Sequence, residues 1–216
     1  MNERHHITVV GVGALGSHFV QFARSIPGAE FMLVDFDHVE AKNTLSQFHG
    51  KPGVGKLKVE ALKGTLQFLW GMRASVYPQK LDTANAEELL GHADLIVDAL
   101  DNAEGRRVIQ RWARERNTRA QLRARGQALP AGFVPVEVLH GALAPAAEGF
   151  GQVVGDERFA PGDGAAGGVQ VTCEAGEALP FIGVVASYMA LSAQAWLERQ
   201  QKLNWQIGAT SGARRF

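Results

Sequence analysis

The chain has 216 residues, enough for one domain or one domain with a modest extension, and 46% of them are hydrophobic, ample for a buried core. Lysine plus arginine and aspartate plus glutamate stand at 22 each, so no global basic field argues for nucleic acid or an anionic membrane as partner. The single cysteine, Cys173, excludes an internal disulfide and any cysteine-rich zinc site, and it fits a reducing, cytoplasmic setting.

Residues 1–6 are too short and polar to lead a signal peptide. Ile7-Thr8-Val9-Val10 then runs into Gly11-Val12-Gly13-Ala14-Leu15-Gly16, and Ser17 to Ala23 reads as a helix. This G-x-G-x-x-G between strand and helix predicts a nucleotide-binding turn. Gly11 allows the tight turn, Gly13 lets backbone approach a phosphate, and Gly16 lets the helix pack on the strand. The free N–H groups of the first helical turn then face an anion. Glu30 to Val34 is a second strand, and Asp35 follows it about 20 residues beyond the glycine turn, where an acid can accept ribose hydroxyls.

The segment from Asp35 through Gln47 is too polar for a strand and lacks a helical period. A loop with Gly50, Pro52, Gly53 and Gly55 leads to a helix whose Leu57, Ala61, Leu62, Leu66 and Leu69 follow helical spacing. Lys58 falls in its first turn, where a cation is disfavoured by the helix dipole unless it has an anion to meet. Ala74 to Tyr77 reads as a third strand, Ala86 to Leu90 as a short helix, and Asp94 to Leu100 as an apolar fourth strand ending in Asp101-Asn102. Polar residues at the carboxyl ends of strands face the ligand crevice of an open α/β sheet.

Glu104 to Arg116 reads as the next helix, and the stretch from Arg106 to Arg125 carries eight arginines against one glutamate, a solvated face or a surface for an acidic partner. Ala120 to Arg123 suggests a fifth strand, and Val134 to His140 an antiparallel edge strand because it contains Pro135. The Gly-, Ala- and Pro-rich stretch that begins at Gly141 predicts a mobile loop over 141–172. Pro180 opens a long apolar helix, read as buried, and 207–216 read as a frayed tail. The whole pattern is an α/β fold: a doubly wound, mainly parallel sheet with added antiparallel edge strands and an apolar C-terminal helix, as one domain over 1–216.

Five stretches, taken together, resemble the ThiF/MoeB/HesA form of the ubiquitin-activating superfamily, a Rossmann-like fold. They are G-V-G-A-L-G-S (11–17), L-V-D-F-D-H-V-E-x-x-N-x-x-x-Q (33–47), V-G-K-L-K-V-E-A (54–61), D-L-I-V-D-A-L-D-N-x-x-x-R (94–106) and T-C-E-A-G-E-A-L-P-F-I-G-V-V-A-S-Y-M-A-L (172–191). The resemblance implies ATP-dependent adenylation of the C-terminal carboxylate of a ubiquitin-like or sulfur-carrier protein, usually ending Gly-Gly; the short N-terminus and the apolar Phe181–Leu197 helix, which needs cover on several sides, suggest a homodimer. By the same resemblance Gly11, Gly13 and Gly16 line the nucleotide, and Asp35, within the matched D-F-D that ends at Asp37, holds the ribose. Asn43 and Gln47 contact phosphates, Lys58 neutralises β/γ charge, Asp101 binds Mg2+, and Asn102 shapes the same loop. Cys173 stands where some members carry a covalent cysteine; a nucleophile and a small buried residue are both open readings of it.

Three departures stand out. The family's N-x-x-R-Q is Asn43-Thr44-Leu45-Ser46-Gln47 here, so Ser46 replaces a phosphate-contacting arginine. A lost charged hydrogen bond of that kind costs about 1.5–3 kcal/mol, unless Lys42, Lys56 or another arginine substitutes. Arg4 is the sole arginine in residues 1–6, where many members have a helix whose arginine reaches the neighbouring subunit's ATP site. The paired C-x-x-C zinc staples are absent, so no zinc is expected. Two other readings follow: a nucleotide-binding scaffold that has lost the chemistry, and an NAD(P)-dependent oxidoreductase, which would need only the glycine turn and Asp35. Among the histidines, His18 reads as a packing residue, while His38 and His49 are candidates to touch substrate.

Overall fold

The computed structural model describes residues 4–124, 136–144, 150–155, 159 and 178–216. Among these residues eight strands form one sheet in the order β3-β2-β1-β4-β5-β6-β7-β8. The parallel half comprises β1 (His5–Val10), β2 (Ala29–Val34), β3 (Ala74–Tyr77), β4 (Leu95–Asp98) and β5 (Glu137–Ala144). The antiparallel half adds β6 (Phe150–Val154), β7 (Trp205–Gly208) and β8 (Gly212–Arg215). Helices α1 (Ala14–Ala23), α2 (Lys58–Trp70), α3 (Ala86–Leu90), α4 (Ala103–Ala124) and α5 (Leu179–Arg199) cover it.

The parallel strands are apolar on both faces because helices cover both. Alternate residues sort into two cores. Ile7, Val9, Leu33, Leu95, Val97 and Leu139 pack with α1, α2 and α5, while Val10, Val34, Ile96 and Val138 pack with α3 and α4. Register aligns the strand ends: Val10 stands beside Val34 and Asp98, and Asp98 beside His140. The loops leaving β1, β2 and β4 therefore open on one edge of the sheet, where an open α/β fold carries its ligand.

By length and composition α5 could cross a bilayer. In the fold its Ile182, Val185, Ala186, Met189 and Ala193 are buried in the core, and Leu179, Val184 and Leu191 are exposed. Its approach to the sheet depends on two glycines: a Cβ at Gly141 would sit 2.4 Å from Met189 Sδ, and one at Gly151 2.4 Å from Val185 Cγ2.

Four sequence expectations are corrected. Residues 120–123 continue α4 and form no strand. The segment read as an antiparallel edge is β5, inside the sheet and parallel to β4; it begins at Glu137, after Pro135, so no proline interrupts its ladder. The loop expected over 141–172 contains the end of β5 and all of β6, while 145–149, 156–158 and 160–172 lie outside the described residues. The tail expected over 207–216 is the β7–β8 hairpin, with Gly212 at φ +75° and the Trp205 ring against Tyr188 of α5, centroids 4.7 Å apart.

Candidate active site

The glycine turn is built as its spacing demands. Gly11 has φ +86°, and a Cβ there would lie 2.9 Å from the Ala99 carbonyl oxygen of the neighbouring β4 loop. A Cβ at Gly16 would fall 1.9 Å from the Gly11 oxygen, so only glycine lets α1 start this close to β1. Gly13 supplies no capping side chain to α1, and the nearest atom to a Cβ placed on it, Gln47 Nε2, is 4.0 Å away. The first N–H groups of α1 are thus available to an anion.

Asp35 follows β2 and binds this turn from below. Its Oδ2 accepts the Val12 N–H at 2.8 Å and its Oδ1 the Asp37 N–H at 2.9 Å. Each carboxylate oxygen has a second lone pair, so ribose hydroxyls can still be accepted. Burial pushes the Asp35 carboxyl above the ordinary range, opposed by those two amides and by the Lys58 charge.

Lys58 does meet an anion. Its buried side chain donates from Nζ to Asp37 Oδ2 at 2.9 Å, and its backbone N–H donates to the Asp37 carbonyl at 2.8 Å. The pair holds a cation at the head of α2 against the helix dipole.

The segment between them is a 3-10 turn over Ala41–Leu45, closed by a capping box in which Asn43 Oδ1 accepts the Glu40 N–H at 2.8 Å. Ser46 is fully buried, and its carbonyl accepts from His18 Nε2 at 3.2 Å. His18 is thus a packing residue, tilted against Phe48 at 6.0 Å. Burial, partly opposed by hydrogen bonds to Gln21 and Ser46, lowers its pKa. Phe48 N–H donates to Ser17 Oγ at 2.9 Å and His49 Nε2 bonds the Val12 carbonyl at 2.9 Å, which sews the segment onto the glycine turn. Burial drives the His49 pKa down to about 4, so its ring is neutral and donates from Nε2. In the fold it holds the turn. His38 is exposed, with its backbone bridged to Leu57.

Asp101 and Asn102 are exposed at the end of β4. Asn102 Oδ1 accepts the Gly105 N–H at 2.8 Å and so caps α4, a role asparagine fills well. One carboxylate is a poor all-protein metal cage, and among the described residues no group of three His, Cys, Asp or Glu side chains converges. It suits Mg2+, which keeps waters and phosphate oxygens as ligands and takes one or two carboxylates from protein. The Gln47 amide can serve a phosphate-bearing ligand through its donor end: Nε2 lies 4.0 Å from a Cβ placed on Gly13, and it is the N–H of that group, not the acceptor Oε1, that a phosphate oxygen would meet. Cys173 lies outside the described residues.

The sequence reading missed Asp98, His140 and the work of Arg106. Asp98 closes the run Leu95-Ile96-Val97-Asp98, and a carboxylate ending a fully buried strand is itself a signal. His140 carried none, because its partner is 42 residues away.

The parallel sheet, the glycine turn and the acid after β2 define a Rossmann-type fold. The chain belongs to the ThiF family, whose model matches residues 2–207. Over 109 residues it is 33% identical to the sulfur carrier protein adenylyltransferase of Thermus thermophilus, covering 50% of this chain and 40% of that protein. It is 34% identical over 105 residues to the adenylyltransferase and sulfurtransferase MOCS3 of Bos taurus, covering 48% of this chain and 23% of that one. The chain therefore spans well under half the length of these two curated relatives. Escherichia coli MccB, solved with ATP, shares the fold over 98% of this chain and 63% of its own, with a TM-score of 0.64 at 16% identity.

Proposed function

We propose that this chain is an ATP-dependent adenylyltransferase that activates the C-terminal carboxylate of a ubiquitin-like or sulfur-carrier protein. The observation that carries the proposal is the convergence of the glycine turn, Asp35, Gln47, the Lys58–Asp37 pair and Asp101-Asn102 on one edge of the sheet. In the reaction a carboxylate oxygen bonds to the α-phosphorus of ATP, the bond to the bridging oxygen breaks, and pyrophosphate leaves with the electron pair. Two anions must meet, so the protein's task is charge neutralisation and positioning.

The α1 amides and the Gln47 amide would receive phosphate oxygens, and Asp35 the ribose. Lys58, swung from Asp37, would balance charge on the departing phosphates. Asp101 would hold Mg2+, which when bound supplies further neutralisation there. The exposed apolar residues of α5, Leu179, Val184 and Leu191, support a homodimer, and the reducing setting suggested by a lone cysteine supports a cytoplasmic location. Transfer of the acyl group to Cys173 is a further proposed step.

The buried Ser46 favours a second reading, a scaffold that binds nucleotide without adenylation. Lys42, one candidate substitute for the lost arginine, is paired with Glu40 at 3.3 Å. Mass spectrometry of a Gly-Gly-ending carrier incubated with protein, ATP and Mg2+ separates the two. A carrier acyl-adenylate is expected; nucleotide binding with no adenylate on any carrier establishes the scaffold.

A further inference from the structure

A buried polar cluster lies beside the proposed site and takes no part in the chemistry described above. Asp98, His140, Arg106 and Phe159 are 0%, 2%, 8% and 5% exposed. His140 Nδ1 and Asp98 Oδ2 are 2.7 Å apart. The imidazole stacks on the Phe159 ring at 4.6 Å and 7°, and the Arg106 guanidinium lies 5.0 Å from the same ring centroid. Gln110 Nε2 anchors the Phe159 carbonyl at 2.8 Å. Apolar residues of similar volume would serve stability at least as well as buried ions, so the cluster calls for another purpose.

Its outputs point to one residue. Asp98 Oδ1 accepts the Leu100 N–H at 3.1 Å. Arg106 Nη2 donates both to the Leu100 carbonyl and, at 3.0 Å, to that of Gly141. Leu100, the residue immediately before Asp101, is held at both its donor and its acceptor. We propose that His140 and Phe159 are positioning residues for Asp101. His140 fixes the Asp98 carboxylate that holds the Leu100 N–H, and Phe159 fixes the Arg106 guanidinium that holds its carbonyl. The loop that offers Asp101 to Mg2+ is thereby set before nucleotide arrives. The inference rests on the adenylation reading for what Asp101 does, and on geometry alone for what holds it.

The test compares the full chain with His140→Leu, His140→Asn and Phe159→Leu. Asparagine keeps a donor near the Nδ1 position, whereas leucine does not; Phe159→Leu keeps apolar bulk without the ring and is the variant best able to fold. Amide hydrogen exchange at residues 99–102 is expected to speed up roughly tenfold in His140→Leu and Phe159→Leu, the size of one lost charge-assisted hydrogen bond. Strands β1 and β2 should keep wild-type protection, and His140→Asn should recover most of the loss at 99–102. In ATP–pyrophosphate exchange the Mg2+ concentration for half-maximal rate should rise in the same order. Loss of protection spread evenly over the sheet, or no change at 99–102 in Phe159→Leu, overturns the proposal. If the wild type adenylates no carrier, the adenylation reading fails, and hydrogen exchange alone still decides whether the clamp exists.

Discussion

Replacing Lys58 with alanine should separate catalysis from stability. The lysine sits in the first turn of α2, where a positive charge opposes the helix dipole, and relief of that conflict is worth about 0.3–1 kcal/mol. Against this stands the loss of its bond to Asp37, whose side chain is 49% exposed, so the pair is worth only about 0–1 kcal/mol. The two effects nearly cancel, and alanine also raises helix propensity. Net stability should change by less than about 1 kcal/mol, a Tm shift of roughly 2–4 °C at most for a chain of this size. On the proposed reaction the same cation would face an anionic transition state, and removing one preorganised partner of this type costs about 2.7–4 kcal/mol, or 100- to 1,000-fold in rate. Carrier-dependent adenylate formation and thermal unfolding, measured on one preparation, make the comparison. Unaltered turnover refutes the role given to Lys58, and a large fall in Tm refutes the balance of charges at the head of α2.

Gly16→Ala should abolish nucleotide binding, measured by calorimetry, because its Cβ would lie 1.9 Å from the Gly11 oxygen. Gly64→Ala, exposed within α2 and with nothing within 4 Å of its Cβ, should raise stability by about 0.5–1 kcal/mol in denaturant titration. Ser46→Arg should lower stability by about 1–3 kcal/mol, since position 46 is fully buried and an arginine there overpacks the contact with α1. His49 makes stability depend on pH: its pKa is about 4 in the folded chain and ordinary, near 6.5, when unfolded. The unfolded state therefore takes up the proton first, and stability is lost as pH falls from 6.5 toward 4, by an amount on the order of 3 kcal/mol. A His49→Asn chain should show a correspondingly shallower slope in that window in urea titrations.

Strands β1 to β4 were legible because their signals are local. A strand, three spaced glycines and a helix start within a dozen residues state the turn, and Lys58 announced itself as a cation in an unfavourable place. Strands β5 to β8 were not, because their signals are contacts. Gly141 and Gly151 read as loop residues, yet each is a strand position where α5 comes too close for a side chain. Trp205 and Ile207 are few apolar residues for a strand, and their burial depends on partners in α5 and β6. Asp35, Lys58 and Asp101 stand out by position along the chain. The bonds that tie Ser17 to Phe48, Val12 to His49 and Asp98 to His140 span 31, 37 and 42 residues, and no short-range pattern carries them.

Adenylation at the glycine turn is tested by ATP–pyrophosphate exchange. The assay pairs the chain with Gly-Gly-ending carrier proteins encoded beside it, with Lys58→Ala and Asp101→Ala as controls. Exchange that requires a carrier and disappears in both variants is the predicted result. ATP binding with no exchange for any carrier, or exchange that survives Asp101→Ala, contradicts it.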